Sequence, residues 1–152
     1  LKFSPTGALL AGTFIGGSGE ENPDGIYVDL SGNVFVAGCT SSSNFPVTAG
    51  AYQSRLGASF DAVLVRLSAD FSQLLYSTFV GGAAYDNGRS GFMASDGSLY
   101  VVGSSDGPGW PTKNAFQGTF AGGSNTYGAG DCTLAKFSPP SGSRVASWFV
   151  WR

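Results

Sequence analysis

The chain repeats itself at an interval of 65 residues, and this narrows the folds open to it more than any other feature. Phe14-Ile15-Gly16-Gly17 returns as Phe79-Val80-Gly81-Gly82. Val34-Phe35-Val36-Ala37-Gly38 returns as Leu99-Tyr100-Val101-Val102-Gly103, and Phe45-Pro46 as Trp110-Pro111. Self-similarity at a fixed period marks a supersecondary unit that buries its apolar face by stacking on its neighbours. Small insertions extend the match: Ala51-Tyr52-Gln53 with Ala115-Phe116-Gln117, and Asp61 to Ser68 with Asp131 to Ser138. The added residues fall between Phe120 and Gly130, where Gly and small polar residues make a loop that absorbs them. Lys2-Phe3-Ser4 carries the same motif again, and Ser147-Trp148-Phe149-Val150 matches Ser77-Thr78-Phe79-Val80. The chain thus holds two full periods and the beginning of a third, with units near 1–62 and 63–133 and a partial unit at 134–152.

Each period reads as short strands. Val34 to Ala37 and Leu99 to Val102 are β-branched and aromatic runs followed by Gly, and Asp61 to Leu67 and Leu74 to Val80 are similar. Ile26 to Asp29 leads into the turn Leu30-Ser31-Gly32-Asn33, and Phe92 to Ala94 into Ser95-Asp96-Gly97-Ser98. Turns of this composition join antiparallel neighbours. No segment keeps a 3.6-residue apolar period, and 24 glycines weaken any helix. The expectation is an all-β chain of antiparallel four-stranded blades, about two of them plus part of a third, in a β-propeller. A ring needs at least four blades. The chain is therefore expected to be a piece of a longer propeller, as its start in mid-repeat suggests, or to complete a ring with further copies of itself.

The order of these motifs resembles a known family. Gly-Gly, an acidic residue, Asp-x-Ser-Gly-Asn-Val-Phe-Val-Ala-Gly-x-Thr, Phe-Pro, Tyr-Gln, Asp-Ala, a basic residue and Tyr-Ser-Thr-Phe-Val-Gly-Gly follow one another as in the bacterial SBBP-type β-propeller repeat. Copy two departs at Gly91 to Ala94, where the aliphatic-Asp strand has lost its Asp, and Trp151-Arg152 stands where the third copy should have Gly-Gly. The resemblance implies a large secreted or cell-surface bacterial protein, and the leading expectation for its function is a non-enzymatic scaffold or binding module. An oligomeric, lectin-like propeller that binds carbohydrate is the alternative, and a carboxylate-based glycoside hydrolase or lyase a third.

Composition removes several chemistries. There is no histidine, so His-based triads, His-ligated zinc and imidazole proton shuttles are excluded. Charged residues are 12% of the chain and form no basic stripe, which argues against nucleic acid as a partner. No apolar stretch of 18 residues offers a membrane span. Cys39 and Cys132 occupy different repeat positions and read as free thiols rather than a disulfide. Gly103-Ser104-Ser105-Asp106-Gly107 has the letters of a nucleophile elbow but neither a following helix nor a histidine, so it reads as a loop.

Two groups of residues remain as candidates. Glu20, Glu21 and Asp24 follow Gly16-Gly17, and Asp86 takes the place of Glu21 in copy two. Oxygen-rich loops of this kind can hold Ca²⁺, which needs six to eight oxygens, although no established calcium loop has this spacing. Otherwise no cofactor is expected. The structural reading is that Glu21 and Asp86 accept backbone N–H bonds from the Gly-Gly loop. Trp110, Tyr52, Phe116 and Tyr85 are the aromatic candidates for stacking on a sugar ring, set against the reading that Phe45-Pro46 and Trp110-Pro111 plug gaps between blades. Phe14, Phe79, Phe35 and Tyr100 are expected to pack between blades. Asp61 and Asp131, with the basic residues Arg66 and Lys136, recur as framework positions whose charge pairs would lie at the surface.

Overall fold

The computed structural model describes residues 1–94, 96–123 and 130–138. The third copy expected at Ser147 to Val150, with Trp148 and Trp151, lies outside the described residues. Among the described residues nine strands follow one another: β1 (Lys2–Phe3), β2 (Leu9–Ala11), β3 (Glu21–Val28), β4 (Val34–Thr40), β5 (Asp61–Leu67), β6 (Leu74–Val80), β7 (Asp86–Met93), β8 (Leu99–Ser105) and β9 (Asp131–Phe137). Among the described residues there is no helix, and hence none that is long and apolar enough to cross a membrane. Every pairing is antiparallel between consecutive strands, giving a hairpin β1-β2, a four-stranded sheet β3-β4-β5-β6 and a three-stranded sheet β7-β8-β9. These are the blades of a propeller. The sheets break at the Gly-Gly loops, so the period is the one read from the sequence in a different phase: positions 62 and 133 lie inside β5 and β9.

The hairpins form where the turn chemistry demands them. Gly32 and Gly97 both sit near φ +82° within turns closed by Gly32 N to Asp29 O and Gly97 N to Ala94 O. A left-handed residue at that point suits glycine because it has no Cβ to clash. The β5-β6 hairpin puts Phe71 at φ 63°, where the β1-β2 hairpin has Gly7 at 85°. Phe71 keeps this conformation because its ring packs against the core of the sheet.

Alternation along the strands gives the first full blade two apolar faces. Phe35, Ala37, Ala62, Leu64 and Val80 point to one face, where Leu99 and Val101 of the second blade pack on them with Met93, Trp110 and Phe137 around the rim. Val63, Val65, Leu67 and Phe79 point to the other and are covered by Phe45, with Ile15, Val47, Leu56 and Phe71. Trp110 therefore packs beside the interblade core, as the gap-plugging reading expects, whereas Phe45 covers the opposite face of the first full blade.

Repeat-equivalent residues differ sharply in exposure. Leu64 is 2% exposed but Leu134 73%; Ala37 is 4% exposed but Val102 39%. Phe79 is fully buried whereas Phe14, its counterpart, is 104% exposed. The expectation that Phe14 packs between blades is thus corrected: Phe79 is held opposite Val63 and under Phe45, whereas the hairpin β1-β2 has only two strands among the described residues and Phe14 joins neither core cluster. Phe35 is buried as expected, and Tyr100 is partly buried, stacked on Phe92 at 5.4 Å.

Candidate functional site

The acids that the repeat carries converge on the loops joining one blade to the next. Glu21 opens β3 and Asp86 opens β7, one period apart. Gly17 N donates to Glu21 Oε1 at 3.2 Å, and Gly82 N donates to Asp86 Oδ2 at 2.6 Å. This is the N–H acceptance expected of the Gly-Gly loop. Glu21 also takes hydroxyl bonds from Thr40, at 2.9 Å, and from Ser42. A second acid clamps the loop that precedes the third strand of each blade. Asp61 Oδ2 accepts Gln53 Nε2 at 2.6 Å and Gly57 N at 2.8 Å, while Gln53 Oε1 accepts Gly81 N at 3.0 Å. Asp131 Oδ2 accepts Gln117 Nε2 at 3.3 Å and Ala121 N at 2.6 Å. The recurring Tyr-Gln and Phe-Gln pairs thus mark a side-chain clamp, a role the sequence reading did not give to Gln53 and Gln117.

At the junction between the two full blades these acids meet. A Cβ built on Gly81 would stand 2.6 Å from Asp61 Oδ1 and 2.8 Å from Asp86 Oδ2, so the carboxylates bracket a position only glycine can occupy. Both aspartates are fully buried, and each keeps one oxygen, Oδ1, without a hydrogen-bond partner. Burial, with the charge of Asp86 adding to it, pushes the Asp61 carboxyl above its ordinary range. Burial likewise pushes Asp86 up, against the bond from Gly82, and Asp106 adds to the rise. At Glu21 burial is outweighed by the bonds from Ser42, Thr40 and Gly17, and its carboxyl is held below the ordinary range. Equivalent acids are thus driven in opposite directions because only Asp86 lies in a fully covered junction.

The four carboxylates considered for a cation do not gather. Glu21 is engaged as described, Asp24 reaches Asn87 and Arg89 of the second blade, and Asp86 lies at the junction. Glu20 accepts Ser41 N through its backbone carbonyl. Among the described residues, no three His, Cys, Asp or Glu side chains come together as a metal site.

The aromatic candidates are also dispersed. Trp110 packs at the rim of the interblade core. Tyr52 stands edge-on to Phe137 at 5.7 Å, linking the loop of one blade to the outer strand of the next. Tyr85 leans on Phe60 at 5.2 Å and has its hydroxyl 3.5 Å from Cys39 Sγ; burial pushes this phenol up to about 12. Phe116 is fully exposed. Among the described residues no ring contact joins any two of the four.

The basic framework residues differ from expectation. Arg66 does not pair with Asp61 at the surface. Its Nη2 donates to Asp29 Oδ2 at 3.0 Å, with side-chain exposures of 15% and 10%, and its guanidinium lies over the Phe35 ring at 5.4 Å. Asp29 also caps its own turn by accepting Ser31 N and Asn33 N at 2.9 Å. In copy two Ala94 replaces this Asp, and Lys136 turns to Asp96 at 4.0 Å while keeping its place over Tyr100 at 5.2 Å. Cys39 is buried and Cys132 exposed, and both are free thiols. Ser104 and Ser105 close β8, and Ser105 Oγ donates to Gly107 O at 3.0 Å; no helix follows this turn.

The chain presents, then, a repeated framework in which acids, amides and hydroxyls hold loops to blades. No curated protein matches it in sequence. Residues 13–46, running from the first Gly-Gly loop through β3 and β4 to Phe45-Pro46, match the model of the SBBP family, a beta-propeller repeat.

Proposed function

We propose that this chain is a non-enzymatic scaffold segment of a secreted or cell-surface β-propeller, whose blades stack on further repeats and whose loops present a binding surface. One observation carries the reading: residues at the same repeat position are buried where a following blade covers them and open where none does, as Leu64 and Leu134 illustrate. Burying a side chain of that size stabilises by about 1.5–3 kcal/mol, so a sheet face with Phe92, Val102 and Leu134 open favours a covering partner. Supporting the non-enzymatic part, the recurrent acids already serve as acceptors for backbone and amide donors.

The test is the solution behaviour of the chain, by light scattering and by binding of an apolar dye. The expected result is association or strong dye binding, both reduced by the triple change Phe92→Ser, Val102→Thr and Leu134→Ser. A monodisperse monomer that binds no dye overturns the stacking reading. Release of reducing ends from a polysaccharide panel overturns the non-enzymatic one.

A further inference from the structure

The first strand of each full blade carries a bulge at the same place. In β3, Pro23 pairs with Gly38 and Gly25 with Ala37, so Asp24 is the extra residue. In β7, Gly88 pairs with Gly103 and Ser90 with Val102, so Arg89 is the extra residue. Asp24 and Arg89 are one period apart in the chain. A bulge leaves its extra residue out of the ladder and re-aims the side chain.

Here the two re-aimed side chains meet across the junction. Arg89 Nη1 lies 3.3 Å from Asp24 Oδ2, and Asn87 Nδ2 donates to the same oxygen at 2.8 Å. The backbones of the two blades are also very close here. A Cβ on Gly25 would stand 2.8 Å from Arg89 O and from Ser90 Cα, and one on Gly88 would stand 3.3 Å from Gly38 O. Close-packed glycines fix the spacing between blades, so the bulge residues cannot drift apart to relieve an unfavourable pairing.

We propose that the bulge position is a specificity contact that decides which repeats can be neighbours. A blade that presents a carboxylate there takes a following blade that presents a guanidinium, with an amide two residues before it. Hydrophobic stacking is common to all blades and carries no order, whereas like charges held at this spacing repel. This inference rests on the stacking reading above and adds to it the rule for blade order.

A charge-reversal cycle in the whole chain tests the rule: Asp24→Arg, Arg89→Asp and the two together, unfolded with urea at low and high salt. Because the pair is partly exposed, each single reversal is expected to raise the unfolding constant about two- to fivefold at low salt. The double reversal is expected to restore it, since a flip of the Asn87 amide turns Oδ1, which has no partner, toward the new guanidinium. All differences are expected to shrink at high salt. Asp24→Asn, which keeps an acceptor without the charge, is expected to show little salt response. Singles that match the parent, or a double that is merely additive, overturn the rule. Amide exchange at Ala37 and Val101 separates the two levels. Protection there with no coupling sinks the charge rule alone, and exchange there as fast as in an unfolded chain sinks the stacking reading beneath it.

Discussion

Phe79 and Phe14 occupy the same repeat position, and replacing each by alanine is expected to give opposite results. Phe79 is fully buried, paired with Val63 across β5 and β6, and 6.0 Å from the Phe45 ring in an edge-on arrangement at 62°. Truncating a buried phenylalanine costs about 3–5 kcal/mol, because the lost transfer energy is joined by the cavity left behind. About 0.5–1.5 kcal/mol of this belongs to the edge-on aromatic contact. Against a total stability of about 5–15 kcal/mol for a domain, the change removes a large share and can unfold the chain outright. Phe14 is as exposed as a free side chain, so Phe14→Ala is expected to stay within about 0.5 kcal/mol of the parent. Urea unfolding followed by far-ultraviolet circular dichroism measures both. Phe79→Leu gives a graded third point, expected at about 1.5 kcal/mol or less, that survives if the alanine variant does not fold. Equal costs for Phe79→Ala and Phe14→Ala, or a cost below about 1 kcal/mol for the former, would refute the assignment of faces to the blades.

Gly81→Ala is expected to destabilise by about 1–3 kcal/mol, because its Cβ would press on Asp61 and Asp86, whereas Gly118→Ala, in open space, is expected to be nearly neutral; thermal melts of both decide. Asp61 and Asp86 have carboxyls raised in the folded state, so the native chain holds their protons more tightly than the unfolded one. Their contribution therefore favours folding at about pH 4 and fades as pH rises through the raised folded values. Glu21, held low, works the other way and loses its contribution on further acidification. The melting temperature is expected to peak on the acid side of neutrality, with Asp61→Asn flattening the decline towards pH 7; an unchanged slope in that variant contradicts the assignment. With a thiol reagent, Cys132 is expected to react at once and Cys39, buried and with its thiol pushed up by that burial, only on unfolding. Two thiols reacting at one rate would show that the interblade face is open.

What the sequence determined by itself is the local grammar. Strands such as Val34–Thr40 and Asp61–Leu67 are legible because β-branched runs and Gly-bearing turns act over a few residues, and the period is legible because the grammar recurs. The acceptance of Gly-Gly N–H groups by Glu21 and Asp86 was also within reach, since donor and acceptor are four residues apart. Other features join positions distant in the chain and depend on register and on how one sheet sits on another. The Gln53–Asp61–Gly81 clamp, the Arg66–Asp29 pair beneath the Phe35 face, and the meeting of Asp24 with Arg89 are of this kind. Nor does a strand's alternation say which of its two faces is covered. Phe14 and Phe79, or Leu64 and Leu134, read alike as letters. Only long-range cover, the second sheet over Leu64 and the Phe45 loop over Phe79, buries one and leaves the other in water, and no short window of sequence contains it.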